Sequence, residues 1–190
     1  YFRGAIMARN DMNLAQWLGI ELPVIQAPMA GSQLSALAVA VSNAGGLGSL
    51  PCAMLGVEAM RKELDALRTG TGKPYNVNFF CHVPPAPNAA RELRWRAALA
   101  PYFREYSIDL GSIPEGPGRL PFTHEAAEVL EKYKPAVVSF HFGLPSPELV
   151  ARVKSWGSKV LSSATTVEEA RWLEAHGADA IVAQGVEAGG

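Results

Sequence analysis

The sequence predicts an α/β protein on a parallel sheet, of the TIM (β/α)8-barrel type. Three observations lead there. Apolar runs alternate with helix-period segments along the chain. The runs are continuous, without regular polar alternation, as in strands covered on both faces. The turn after the first run, "QAPMAGS", lacks the G-x-G-x-x-G that a dinucleotide-binding open sheet carries there. The G-x-G in "GGLGSL" precedes a strand, so it lies in the wrong context. The last units also repeat at roughly 20 to 25 residues, close to the minimal spacing of such a barrel.

The elements follow in order. "ELPVIQAPMAG" reads as a buried strand ending in a loop at Pro28 and Gly31. "SALAVAVSNAGG" reads as a helix that Ser35 could cap and Gly45 ends. "LGSL" is the second strand. "GVEAMRKELDALRTG" sets Val57, Met60, Leu64 and Leu67 at helical spacing and stops at Gly70. "YNVNFF" is the third strand. "NAARELRWRAALAPYFREYSI" is charged and helical, broken by Pro101, and lengthens its unit beyond its neighbours. "FTHEAAEVLEKY" is a helix with Thr123 as cap; Ala126 leaves its capping box incomplete. "AVVSFHF" is the fourth strand. "SPELVARVKSWG" places Pro147 in a first turn and Gly157 at the end. "KVLSSA" is the fifth strand, "TVEEARWLEAHG" a capped helix closed by Gly177, and "ADAIVAQG" the sixth strand.

Six strands leave a barrel two short of closure. The chain is therefore expected to cover about the first six βα units, with the C-terminal part missing. The start, "YFRGAIMA", resembles a cloning or protease-site remnant, so residues 1–8 are set apart as a disordered start. Residues 9–190 are the expected partial barrel.

Composition narrows the function. At 190 residues, 48% hydrophobic and 18% charged, the chain is an ordinary globular one. Net charge is −1 with no basic stripe, so neither nucleic acid nor an anionic membrane is expected as partner. No apolar run approaches the roughly 20 residues that span a bilayer. The two cysteines, Cys52 and Cys81, are too few for a disulfide framework and fit a reducing compartment. The cytoplasm is the expected location.

In a barrel, chemistry sits at the C-terminal ends of the strands. There the sequence places Gln26 to Met29, Pro51 and Cys52, Asn78, His141, Ser162 and Ser163, and Gln184 to Gly190. The set holds carboxamides, an imidazole and hydroxyls, with no acidic pair and no cluster at metal-ligand spacing. No metal is expected. Neutral hydrogen-bonding groups and glycines suit an aromatic ring with a phosphate tail, as in FMN. Each residue has a plainer reading. Met29 can cap a core, Asn78 can end a strand, and Gln184 can satisfy a loop carbonyl. His141 can be a satisfied near-core histidine, although its place after a buried strand equally suits a substrate-facing role. His82, His124 and His176 read as surface or structural groups, and both cysteines as buried thiols. "RELRWRAALAPYFREY" reads as an amphipathic solvated segment.

Five stretches in series, "PVIQAPMAG", "AGGLGSL", "VNFF", "VVSFHFGLP" and "ADAIVAQGVEAGG", resemble the nitronate monooxygenase family, formerly called 2-nitropropane dioxygenases. The resemblance runs from about Leu22 to Gly190. It implies a flavin-dependent TIM barrel with a smaller insertion domain, using FMN and O2 to convert alkyl nitronates to carbonyl compounds and nitrite. It implies that Ala27, Pro28 and Met29 lie against the flavin. Asn78 and Gln184 should hydrogen-bond it, Ser163 should face it, and Gly189 and Gly190 should pack close. Some members carry a lysine where this chain has Ser163. His141 is the candidate catalytic residue within the chain, and a base histidine is expected just after Gly190. A nitronate and O2 are the expected small-molecule partners, and a homodimer is compatible. The alternatives are an FMN-dependent NAD(P)H:quinone or enoyl reductase of the same barrel family, or a non-catalytic barrel fragment.

Overall fold

A computed structural model describes residues 13–112 and 119–188. The remnant expected over residues 1–8 and the glycines Gly189 and Gly190 lie outside the described residues. The chain divides into two compact units, with boundaries after His82 and before Arg119.

The larger unit is a parallel sheet whose five strands stand in chain order: β1 (Gly48–Pro51), β2 (Tyr75–Phe80), β3 (Val137–His141), β4 (Lys159–Ala164) and β5 (Ala180–Ala183). That order decides the fold. A doubly wound sheet reverses direction at a switch point. This sheet steps one strand over each time, as an arc of a TIM-type barrel does.

Seven helices are described: α1 (Leu14–Leu18), α2 (Ser35–Asn43), α3 (Val57–Gly70), α4 (Ala89–Glu105), α5 (His124–Leu130), α6 (Pro147–Ser155) and α7 (Val167–Ala175). Side chains alternate across each strand, so one face of the sheet shows Leu50, Val77, Phe79, Val138, Phe140 and Val160. These pack with Met60, Leu64 and Leu67 of α3, Val129 and Leu130 of α5, and Leu149 and Val153 of α6. A fully buried Leu or Phe of this kind contributes about 1.5–3 kcal/mol. The opposite face corresponds to the barrel interior. Its N-terminal end is apolar, with Leu47, Val137 and Leu161 packed on Leu18 of α1. Further along it turns polar, with Ser49, Asn76, Asn78 and Ser139. Strands β1–β4 are thus largely buried, whereas β5 at the sheet edge is half-buried to exposed, and the interior face passes from apolar to polar along its length.

The expected first strand is reduced to one bridge, Ile25 with Leu47. Leu47 N–H donates to Val24 O and Gln26 N–H to Leu47 O, both at 2.9 Å, and backbone pairing stops there. The next edge groups of β1 are met by side chains. Ser49 N–H donates to Gln26 Oε1 at 3.2 Å, and Ser49 O accepts from Gln33 Nε2 at 2.8 Å. A carboxamide offers the same donor and acceptor as a peptide, so it continues the ladder without a strand.

Helix ends follow the expected signals, with two exceptions. Thr123 caps α5, accepting from Ala126 N–H at 3.2 Å. Pro147 opens α6, and Gly157 and Gly177 follow their helices with φ of 84° and 105°. Thr166 and Glu169 form a reciprocal capping box on α7. Ser35, however, is the first residue of α2 and not its cap. Its N–H and Oγ both donate to Glu63 Oε2 of α3, at 3.0 and 2.5 Å. A carboxylate from a neighbouring helix thus serves the positive end of α2. Pro101 does not break its helix either. It sits inside the 17 residues of α4, a helix with no buried side chain. Thr166→Ala should lower stability by about 1 kcal/mol. An unchanged denaturation midpoint would show that the capping box is idle.

Candidate functional site

Three adjacent strands bring the central candidates together. Registry pairs Asn78 of β2 with Ser139 of β3, and Phe80 with His141 one layer higher. Ser139 in turn faces Leu161 of β4, so Ser163 stands beside His141. His141 Nδ1 and Ser163 Oγ are hydrogen-bonded. The backbone holds the histidine from the other side, because His141 O accepts from Cys81 N–H at 2.8 Å. Phe142 follows with φ 65°, a conformation rare for a bulky residue, and Gly143 with φ 98°. Phe142 lies with its ring centroid 3.9 Å from that of His141 and 5.2 Å from that of Phe80.

Burial holds the His141 imidazole below its ordinary pKa. It is therefore neutral at pH 7, with Nδ1 committed to Ser163. Among the described residues nothing bonds Nε2. The sign for stability follows by linkage. The unfolded imidazole binds a proton more readily than the folded one, so stability falls as pH drops through about 6.5. His141→Gln should flatten part of that acid-side decline. An identical pH–stability profile in the variant would mean that another group causes it.

The other candidates are placed as follows. Asn78 is 6% exposed, with Nδ2 donating to Ser139 O at 3.2 Å and to Ser139 Oγ at 3.0 Å. Gln184 is half-buried just past β5, where its N–H donates to Ala164 O at 2.9 Å. Ala27 and Met29 are exposed and Pro28 is half-buried, beside β1. Since β1 and β5 are the sheet's two edges, Gln184 and the Ala27–Met29 loop stand at opposite ends of the arc. The structure thus joins His141 to Ser163 and sets Asn78 beneath them. It does not join Gln184 to the loop.

The thiols are inert. Cys52 is 3% exposed and burial raises its pKa far above the usual range. Burial pushes Cys81 up to about 12. Neither is a thiolate at neutral pH. His124 and His176 are exposed, the latter stacked on Trp172 at 4.1 Å. His82 is half-buried, with Nδ1 unpartnered among the described residues. No group of His, Cys, Asp and Glu suited to a metal occurs among the described residues.

Sequence reading missed Asn76 and Ser139. Asn76 Nδ2 donates to Ser49 Oγ at 3.0 Å and Ser139 Oγ at 2.9 Å, while Asn76 Oδ1 is buried without a partner. The signal was present, because Asn76 and Asn78 alternate in "YNVN" and so share a face. The donor set as a whole is uncharged: Asn78, His141, Ser163 and Gln184. Such a set fits the polar edge of a neutral heterocycle and does not fit a metal ion.

Comparison with known proteins finds relatives that cover most of this chain. The nitronate monooxygenase of Paraburkholderia phytofirmans is 48% identical over 180 residues, covering 91% of this chain and 48% of the relative. That of Pseudomonas aeruginosa is 46% identical over 181 residues, covering 91% of this chain and 50% of the relative. Among solved structures, nitroalkane oxidase from Streptomyces ansochromogenes superposes with a TM-score of 0.78 at 43% identity, over 90% of this chain and 48% of that one. FabK from Thermotoga maritima superposes with a TM-score of 0.67 at 28% identity, over 93% of this chain and 45% of that one. The chain spans about half the length of the curated relatives it matches. A family model for nitronate monooxygenase matches residues 12–190, and the chain belongs to that family.

Proposed function

We propose that the chain carries the ring-binding half of an FMN-dependent oxidoreductase that uses O2 to convert alkyl nitronates to carbonyl compounds and nitrite. The neutral His141–Ser163 pair above Asn78 carries this reading. Its chemistry suits a substrate that is anionic at the nitro group and apolar elsewhere. When bound, FMN supplies the electron acceptor and the reaction with O2.

The protein's own groups do the rest. Ser163 Oγ–H donates to His141 Nδ1, which leaves Nε2–H as a donor toward a nitronate oxygen. The neutral imidazole gives that hydrogen bond without competing for the substrate's negative charge as a fixed counter-ion. Asn78, Gln184 and the Ala27–Met29 backbone hold the cofactor, with Gly189 and Gly190 allowing close approach. In this reading, the group that takes a proton from a neutral nitroalkane is a histidine just after Gly190.

The test is rapid anaerobic mixing of the FMN-loaded full-length protein with an alkyl nitronate and, separately, with NADH. Bleaching of the flavin band by the nitronate, with nitrite formed once O2 is admitted, is the expected result. Bleaching by NADH alone would assign the protein to a reductase. A protein that takes up no FMN would be a binding or structural module.

A further inference from the structure

Two asparagines bond one serine, Ser139, through their amide nitrogens on the interior face of the sheet. We propose that Ser139 is a positioning residue: it fixes the Asn78 carboxamide with its oxygen outward, so that Asn78 acts as an acceptor for a ligand N–H. The proposal rests on the cofactor reading above and assigns a role within it.

The orientation of Asn78 is forced by chemistry. Its nitrogen lies 3.2 Å from Ser139 O, and a peptide carbonyl can only accept. Reversing the amide would set two oxygens against each other. The second proton of Nδ2 goes to Ser139 Oγ at 3.0 Å. Both donor protons of Asn78 are therefore spent inside the protein. Its Oδ1 receives no hydrogen bond among the described residues and, unlike Asn76 Oδ1, is not sealed from solvent. What Asn78 offers a ligand is an oxygen, and an oxygen selects a donor.

Asn76 backs the arrangement. Its Nδ2 reaches Ser139 Oγ at 2.9 Å, so the hydroxyl is gripped from below by Asn76 and from above by Asn78. Ser49 Oγ, at 3.0 Å, holds Asn76 from β1. Three strands thus lock one hydroxyl in place, at 2% exposure for Asn76 and 8% for Ser139. Asn76 Oδ1 stays buried and unpaired, so the geometry is held on the donor side, where turning the Asn78 amide would break its bonds to Ser139 O and Oγ. The layer is one pleat below His141, so the oxygen of Asn78 stands beside the face on which the histidine acts.

Oxidised FMN carries one ring N–H, at N3, and this is the donor that an oxygen from Asn78 can meet. The test titrates apo full-length protein with FMN and with 3-methyl-FMN, which lacks that proton. Wild type should bind 3-methyl-FMN about tenfold or more weakly than FMN. Ser139→Ala should weaken FMN binding about tenfold and leave 3-methyl-FMN binding unchanged, because the lost interaction is specific to the N–H. Ser139→Thr keeps the hydroxyl and should restore the preference for FMN. Equal affinity of wild type for the two flavins would overturn the proposal, as would a Ser139→Ala variant that keeps the wild-type preference. A variant that loses both flavins in equal proportion has a folding defect, which leaves Ser139 a purely structural residue and also refutes the proposal. If wild type binds neither flavin, the cofactor reading itself fails, and that outcome is distinct from the other three.

Discussion

Gly48→Val should abolish the native fold, or lower its stability by about 3 kcal/mol or more. Gly48 opens β1 on the helix-covered face of the sheet. A Cβ built there falls 1.9 Å from Ala38 O, 2.6 Å from Ala38 C and 2.7 Å from Ser42 Oγ. These are atoms of the α2 backbone and of a side chain tied at both ends. Ser42 Oγ accepts from Gly48 N–H at 3.1 Å and donates to Pro74 O at 2.9 Å. No rotamer change relieves the clash, because the obstacle is main chain. Helix α2 would have to lift from the sheet, uncovering Ala38 and Leu50, which are 0% exposed. Gly72→Ala is the control, since its Cβ meets nothing within 4 Å. Urea denaturation of both variants checks the claim. Similar midpoints for Gly48→Val and wild type would mean that α2 packs on β1 less closely than the structure shows.

That close approach was readable only in outline. "AGGLGSL" announces a tight turn before a strand, but sequence alone does not say which glycine faces a helix. Helix limits were more legible because their signals are local. Thr123, Pro147, Thr166, Gly157 and Gly177 each act within a turn of their own position. Readings failed where the partner was distant. Glu63 takes the role expected of Ser35 from 28 residues away. The carboxamides of Gln26 and Gln33 replace a strand that apolar content suggested. Pro101 stays within α4 although one backbone donor is lost there. At the site, the ends of the apolar runs pointed to Asn78, His141 and Gln184, since parallel strands present their C-terminal ends together. The His141–Ser163 contact was not legible, because it depends on the register between β3 and β4. Ser139 was passed over as one small residue in "VVSF", although its pairing with Asn78 sets that asparagine's direction.

His141→Ala, in the full-length FMN-loaded protein, should lower turnover of an alkyl nitronate about 10²- to 10³-fold, the usual consequence of removing a donor aimed at developing charge. FMN affinity should change by no more than a few-fold, because Ser163, expected to face the flavin, is left in place and the other residues proposed to hold the cofactor lie elsewhere: Asn78 one layer down, Gln184 beyond β5, and the loop beside β1. The split follows from geometry. His141 Nδ1 is held by Ser163, and its main-chain oxygen by Cys81 N–H, so the ring is oriented before any substrate arrives. A preoriented donor acts mainly where charge shifts during reaction, which places its effect in turnover more than in binding. Ser163→Ala should fall between, keeping the imidazole but freeing its rotation, and should lose less activity than His141→Ala. The pH dependence supplies a second reading. Burial keeps His141 neutral down to acid pH, so the wild-type rate should not fall on the acid side until below about 6.5, the ordinary histidine range. Steady-state nitrite release beside FMN titration separates the cases. A His141→Ala protein that loses its flavin yet turns over normally per bound flavin would show that the imidazole supports the cofactor and does not act on the substrate.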